Sequence, residues 1–162
     1  MKKFYLSLLF LTLLLAFRPS AQAQLKGFSI GPYVEAALPV GDFGDFYKSG
    51  IGGGLGVDIK LPLTSLGVTA SAGYMHFSPK NDITGNFNAI PIRAGLKYRL
   101  SLLYIKLEAG AASITDNGGT AFIVSPGLGI RVLGLDVQAK YENWSKDKAN
   151  SGFAGLKVGY NF

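Results

Sequence analysis

Between Leu135 and Glu142 the residues change character at every step: Leu135, Val137, Ala139 and Tyr141 are apolar or aromatic, whereas Asp136, Gln138, Lys140 and Glu142 are polar or charged. Side chains of a β-strand point to opposite faces with period two, so this segment is a strand with one greasy and one charged face. A helix would scatter the same residues around its surface. Beyond residue 23, no segment keeps helical spacing for three turns.

Seven further segments follow the same rule. Ile90, Ile92, Ala94, Leu96 and Tyr98 alternate with Pro91, Arg93, Gly95, Lys97 and Arg99, and Leu103, Ile105, Leu107 and Ala109 with Tyr104, Lys106, Glu108 and Gly110. Ile51, Leu55, Val57 and Ile59 oppose a face of glycines with Asp58 and Lys60. Phe28 to Ala37, Leu66 to Phe77, Thr120 to Arg131 and Gly152 to Phe162 complete the set. Each is about as long as the 9 to 11 residues a tilted strand needs to cross a bilayer. Pro62 to Ser65, Leu100-Ser101 and Leu133-Gly134 are tight connections, whereas Pro39 to Ser49, Ser78 to Phe87, Ser113 to Gly119 and Asn143 to Ser151 are longer and polar. Eight strands with short turns at one end and longer loops at the other predict an all-β, eight-stranded, antiparallel up-and-down transmembrane barrel, with both termini on the short-turn, periplasmic side.

Period two alone leaves open which face looks out, because a soluble carrier barrel alternates too. Three features place the polar face inside. Glycines Gly52, Gly54, Gly56, Gly95, Gly110, Gly127, Gly129, Gly155 and Gly159 interleave with the charges, which makes room in a narrow lumen and would only weaken a solvated wall. Aromatics collect at strand ends, with Tyr74, Phe77, Phe122, Tyr141, Trp144 and Phe153 at the loop end and Phe28, Tyr98, Tyr104, Tyr160 and Phe162 at the turn end, as two interfacial girdles would require. Tyr33 is the exception, facing inward by parity. Finally, Val158, Tyr160 and Phe162 share one face of the last strand.

That alternating aromatic carboxyl-terminal strand resembles the signal read by the outer-membrane assembly machinery, except that Lys157 stands where the signal commonly has glycine. Together with Leu38-Pro39-Val40-Gly41-Asp42-Phe43, the glycine-rich strand and Ala72-Gly73-Tyr74, the chain resembles the small outer-membrane β-barrel domain family, including PorT-like members and relatives of OmpX and the OmpA membrane domain. The resemblance covers residues 24–162 and implies a barrel integral to a Gram-negative outer membrane, among its lipids and lipopolysaccharide. It implies little about activity.

The amino terminus reads as an export signal over residues 1–23. Lys2 and Lys3 precede an apolar run from Phe4 to Phe17, too short for a spanning helix, and Ala21 and Ala23 are the small residues a signal peptidase inspects. Lys2, Lys3 and Arg18 also supply half of the formal net charge of +6. The remaining basic residues are scattered singly, which argues against a nucleic-acid partner.

Parity assigns a charged lumen: Glu35, Asp58, Glu108, Asp136 and Glu142 against Lys60, Arg93, Lys97, Arg99, Lys106, Arg131, Lys140 and Lys157. The simplest role for them is a structural network of ion pairs and trapped water. A surplus of positive charge also fits an anion-favouring channel. His76-Phe77-Ser78 faintly resembles the His-x-Ser of outer-membrane lipid A deacylases, but no neighbouring acid is in reach to orient the base, and Pro79 follows. One histidine and no cysteine make neither a metal site nor a cofactor site, and Gly52 to Gly56 lacks the helix and lysine of a phosphate loop. Asp42 and Asp45 sit in a turn sequence. The sequence therefore favours a non-enzymatic barrel with an interaction role carried by its loops. Asn143 to Ser151, with Trp144, Lys146 and Lys148, is the candidate for headgroups or an unidentified envelope partner. Pro32, Pro91 and Pro126 fall inside strands, where bulges or early strand ends are expected.

Overall fold

The computed structural model describes residues 27–80, 85–115, 118–147 and 149–162. The export-signal reading of residues 1–23, with Ala21 and Ala23, lies outside them. Eight strands close on themselves in chain order: β1 (Phe28–Val40), β2 (Tyr47–Lys60), β3 (Leu66–Pro79), β4 (Phe87–Leu100), β5 (Leu103–Ile114), β6 (Gly119–Val132), β7 (Leu135–Lys146) and β8 (Ala149–Tyr160). Every neighbour is antiparallel, and β1 pairs with β8 from Tyr33↔Gly159 to Val40↔Gly152, so no edge is left open.

Two ends are distinguished by their connections. At the terminal end, where β1 starts and β8 stops, Leu133 and Gly134 both take positive φ (50° and 87°) between the paired residues Val132 and Leu135, a two-residue turn whose twist matches the flanking strands. Ser101, also at positive φ, opens the equivalent turn between Leu100 and Leu103. At the far end the strands run on past the alternating segments, because backbone pairing outlasts the side-chain pattern. β7 reaches Lys146 and β8 starts at Ala149, so most of the expected loop from Asn143 to Ser151 is strand. The turn sequence at Asp42 is a five-residue helix, α1 (Asp42–Phe46).

The prolines neither bulge nor end their strands. Pro91 and Pro126 each interrupt the ladder to one neighbour for two residues: β3–β4 pairing skips from Ala72↔Ile92 to Met75↔Ala89, and β6–β7 from Val124↔Asn143 to Gly127↔Lys140, with register unchanged across each gap. Pro32 does the same toward β8, where pairing resumes beyond it as the Ile30–Phe162 backbone bonds. The missing N–H is lost from one side only, and the continuous ladder on the other side holds the strand straight. Among the described residues, the register shifts in β2, between Tyr47 and Ser49.

The outer wall is a continuous aliphatic belt. Ile51, Leu55, Ile92, Leu96, Ile105, Leu107, Leu128 and Leu156 all stand more than half exposed. A protein in water does not present such a surface around its whole circumference, so the belt belongs in hydrocarbon. Tyr74, Phe122 and Tyr141 border it toward the far end, and Phe28, Tyr98, Tyr160 and Phe162 toward the terminal end, all outward.

Candidate functional site: the lumen and its aromatic closure

Of the charges assigned to the interior, Glu35, Asp58, Arg93, Lys97, Lys106, Glu108, Asp136, Lys140, Glu142 and Lys157 are buried within the barrel. Arg99 and Arg131 are half-buried near the terminal end. Lys60 corrects the parity reading: it shares the inward face of Asp58 but sits at the last residue of β2, beyond the lumen, and is exposed.

The buried charges separate into clusters along the axis. Nearer the far end, Arg93 crosses from β4 to Glu142 of β7, its Nε and Nη2 donating to Oε1 at 3.1 and 2.8 Å, and to Glu35 of β1 at 3.0 Å. Lys140 closes the ring by donating to Glu35 at 2.9 Å and to Glu142 at 2.7 Å. Trp144 Nε1 adds a fourth donor to Glu142 at 2.6 Å. The charge on two cations and two carboxylates is thus compensated within one ring, the condition under which buried ions are tolerable. Nearer the terminal end, Lys97 donates to Asp58 at 2.8 Å and to Asp136 at 3.1 Å, while Arg131 binds both carboxylates. Tyr104 donates to Asp136, Arg131 reaches Ser29 at 3.2 Å, and Lys97 Nζ stands 4.0 Å over the Tyr104 ring. Between the clusters Lys106 pairs with Glu108 at 3.2 Å.

Glycine makes this filling possible. A Cβ on Gly129 would strike the Tyr104 hydroxyl, and one on Gly127 the Gln138 amide. The ring atoms of Tyr104 therefore lie where a larger residue on β6 would place its own side chain.

Above the ring, at the far end, the lumen is apolar. Phe43 of α1, Phe77, Trp144 and Phe153 are buried there with Met75 and Ile123, and Tyr47 and Phe87 pack against them. The rings meet mostly edge to face: Phe43–Phe77 at 5.1 Å, Phe77–Phe153 at 5.3 Å, and Trp144–Phe153 at 5.5 Å. Four residues read as girdle therefore point inward instead. Phe77, Trp144 and Phe153 fill the far end, and Tyr104 is 2 % exposed in the terminal half. Period two already carried that signal, since Trp144 lies two residues from Glu142 and Tyr104 two from Lys106. Phe43 carried none, because only the folding back of α1 puts it over the barrel mouth. Replacing Phe77, fully buried and in contact with five other rings, by alanine is expected to cost about 3–5 kcal/mol of unfolding free energy in denaturant titrations from lipid vesicles. A cost below about 1 kcal/mol would mean that the aromatic layer is loosely packed.

The remaining sequence candidates are not brought together. His76 points outward near the far end with Nδ1 2.6 Å from Asn88 Oδ1, and among the described residues no carboxylate bonds to it. Trp144 of the supposed headgroup loop is inside the barrel, and Lys146 donates to the Gly118 carbonyl. Val158, Tyr160 and Phe162 share the outer face, the latter two exposed. No group of three or more metal-ligating side chains occurs among the described residues.

No protein-family model matches the chain, and no curated protein does. Solved structures do. The Yersinia pestis outer membrane protein Ail, determined in a phospholipid bilayer nanodisc, aligns with a TM-score of 0.58 at 19% identity over 84% of this chain and 99% of its own. The N-terminal β-barrel domain of Pseudomonas aeruginosa OprF aligns with a TM-score of 0.56 at 17% identity, over 83% and 97%. Neisserial surface protein A gives 0.50 at 18% identity, over 84% and 97%. The closed strand order, the greasy exterior and these alignments agree: the chain has the fold of a small eight-stranded outer-membrane β-barrel.

Proposed function

We propose that the chain is an integral barrel of a Gram-negative outer membrane that neither conducts nor catalyses, and that acts through its far rim. In this reading residues 1–23 are removed on export, and the assembly machinery reads Val158, Tyr160 and Phe162. The terminal end faces the periplasm and the far rim faces outward. The observation that carries the non-conducting role is the layer of edge-to-face aromatics lying across the lumen directly above the Arg93–Glu35–Glu142–Lys140 ring. A hydrated ion would have to displace rings on one side and break a compensated buried network on the other. Lys48 and Lys80, both exposed near the far rim, support contact with the anionic headgroups of lipopolysaccharide, or with an acidic envelope partner. Against a lipid A-modifying role stands His76, whose ring is held by an amide instead of an acid.

Planar-bilayer recording tests the sealed lumen. The purified protein is expected to insert without resolved current steps. Reproducible openings whose ion selectivity changes on substituting Arg93 or Lys106 would overturn the reading in favour of a small-solute or anion channel.

A further inference from the structure

The terminal half of the lumen contains a cavity of about 30 Å³, with Lys97, Lys106, Arg131 and Lys157 in its wall and Asp58 and Asp136 as its acids. The two acids are already committed, each carboxylate being shared between Lys97 and Arg131. Lys106 has Glu108. Lys157 is different. It is buried in the middle of the barrel, and among the described residues no carboxylate lies within 4.0 Å of its ammonium. Its neighbour across the ladder on β1, Glu35, is turned to Arg93 and Lys140 instead. The ammonium rests 3.5 Å over the Tyr33 ring.

The neutral groups around it also lack partners among the described residues. Among the described residues, the Tyr33 hydroxyl and Ser71 Oγ are buried with no hydrogen-bond partner, and so are the oxygen and nitrogen of the Gln138 amide, which sits opposite Lys157 on β7. All three side chains line the same cavity. Trapped water would satisfy hydroxyls and an amide but would leave the ammonium uncompensated, and an isolated buried charge is costly. A surplus cation beside hydroxyls and an amide that can turn their hydrogens toward it suits an anion. The volume, about that of two water molecules, suits a single small ion.

We propose that this cavity is a buried halide site: it binds one small inorganic monoanion, chloride in its natural setting, with Lys157 as the principal cation and Tyr33, Ser71 and Gln138 as neutral donors. The ion offsets the charge of Lys157 between the two ion-pair clusters, and the barrel is therefore more stable when it is bound.

Thermal unfolding of the purified protein in sodium chloride and in sodium gluconate of equal concentration tests this. Chloride is expected to raise Tm by a few degrees, saturably, over gluconate. In Lys157→Met the two salts should give the same Tm, whereas Lys60→Met, at an exposed lysine, should retain the full chloride shift. Crystals grown in sodium bromide should show one anomalous peak inside the barrel beside Lys157 Nζ, a measurement that needs no variant if Lys157→Met fails to fold. Coincident melting in chloride and gluconate, an empty cavity in bromide, or an undiminished chloride shift in Lys157→Met would each overturn the proposal.

Discussion

Glu142→Ala is expected to destabilise the barrel by about 3–5 kcal/mol, the range for removing one partner of a buried ion pair. Glu142 is fully buried and accepts from Arg93, Lys140 and Trp144, so its loss strands two cations that only Glu35 remains to serve. The effect should be visible as a lower midpoint in urea or guanidinium titrations from vesicles. Removing the stranded cation at the same time, as Glu142→Ala with Lys140→Met, should recover part of the loss, because what is costly is the uncompensated charge more than the missing bond. A single variant as stable as the parent would mean that water enters and hydrates the ring, and the sealed lumen would have to be abandoned. Trp144 sets the strength of this test, since its Nε1–H ties the aromatic layer to the ring at Glu142.

A charge on the outer wall is the second large effect. Leu107 is more than half exposed in the middle of β5, between Leu96 of β4 and Pro126 of β6. In a water-soluble carrier, Leu107→Arg would cost next to nothing. In a bilayer it should cost about 2–4 kcal/mol, the penalty for arginine on the lipid face near the midplane, while Val132→Arg at the terminal rim should cost about 0–1 kcal/mol. Measuring both in vesicles gives the depth dependence directly. Equal costs at the two positions, or none at either, would remove the belt from hydrocarbon and with it the membrane assignment.

The inward face was legible from period two wherever a strand has a clear rhythm. Asp136, Gln138, Lys140 and Glu142 all lie inside, as their alternation with Leu135, Val137, Ala139 and Tyr141 requires. The aromatics were harder. Clustering at strand ends suits a membrane girdle, and Tyr74, Phe122 and Tyr141 do face outward; yet Phe77, Trp144 and Phe153 have the opposite parity and close the lumen. At a strand end an aromatic is compatible with either face, so its composition carries no direction and only its parity does. Proline misled in another way. The loss of one N–H suggested broken strands, but a barrel strand has two neighbours, and the second ladder kept Pro32, Pro91 and Pro126 in register.

What the sequence by itself determined is the number of strands, their antiparallel order, and which residues share a face, because these follow from local spacing and turn length. What only the tertiary structure decided is who meets whom inside. Arg93 reaches Glu35, fifty-eight positions away, and Lys140 reaches the same carboxylate from 105 positions away. α1 brings Phe43 against Phe77 and Phe87. Among the described residues, no carboxylate comes within 4.0 Å of the Lys157 ammonium. Those outcomes depend on strand stagger and on which long side chain reaches a carboxylate at the same height in the closed barrel, and neither quantity has a trace in the order of residues along any one strand.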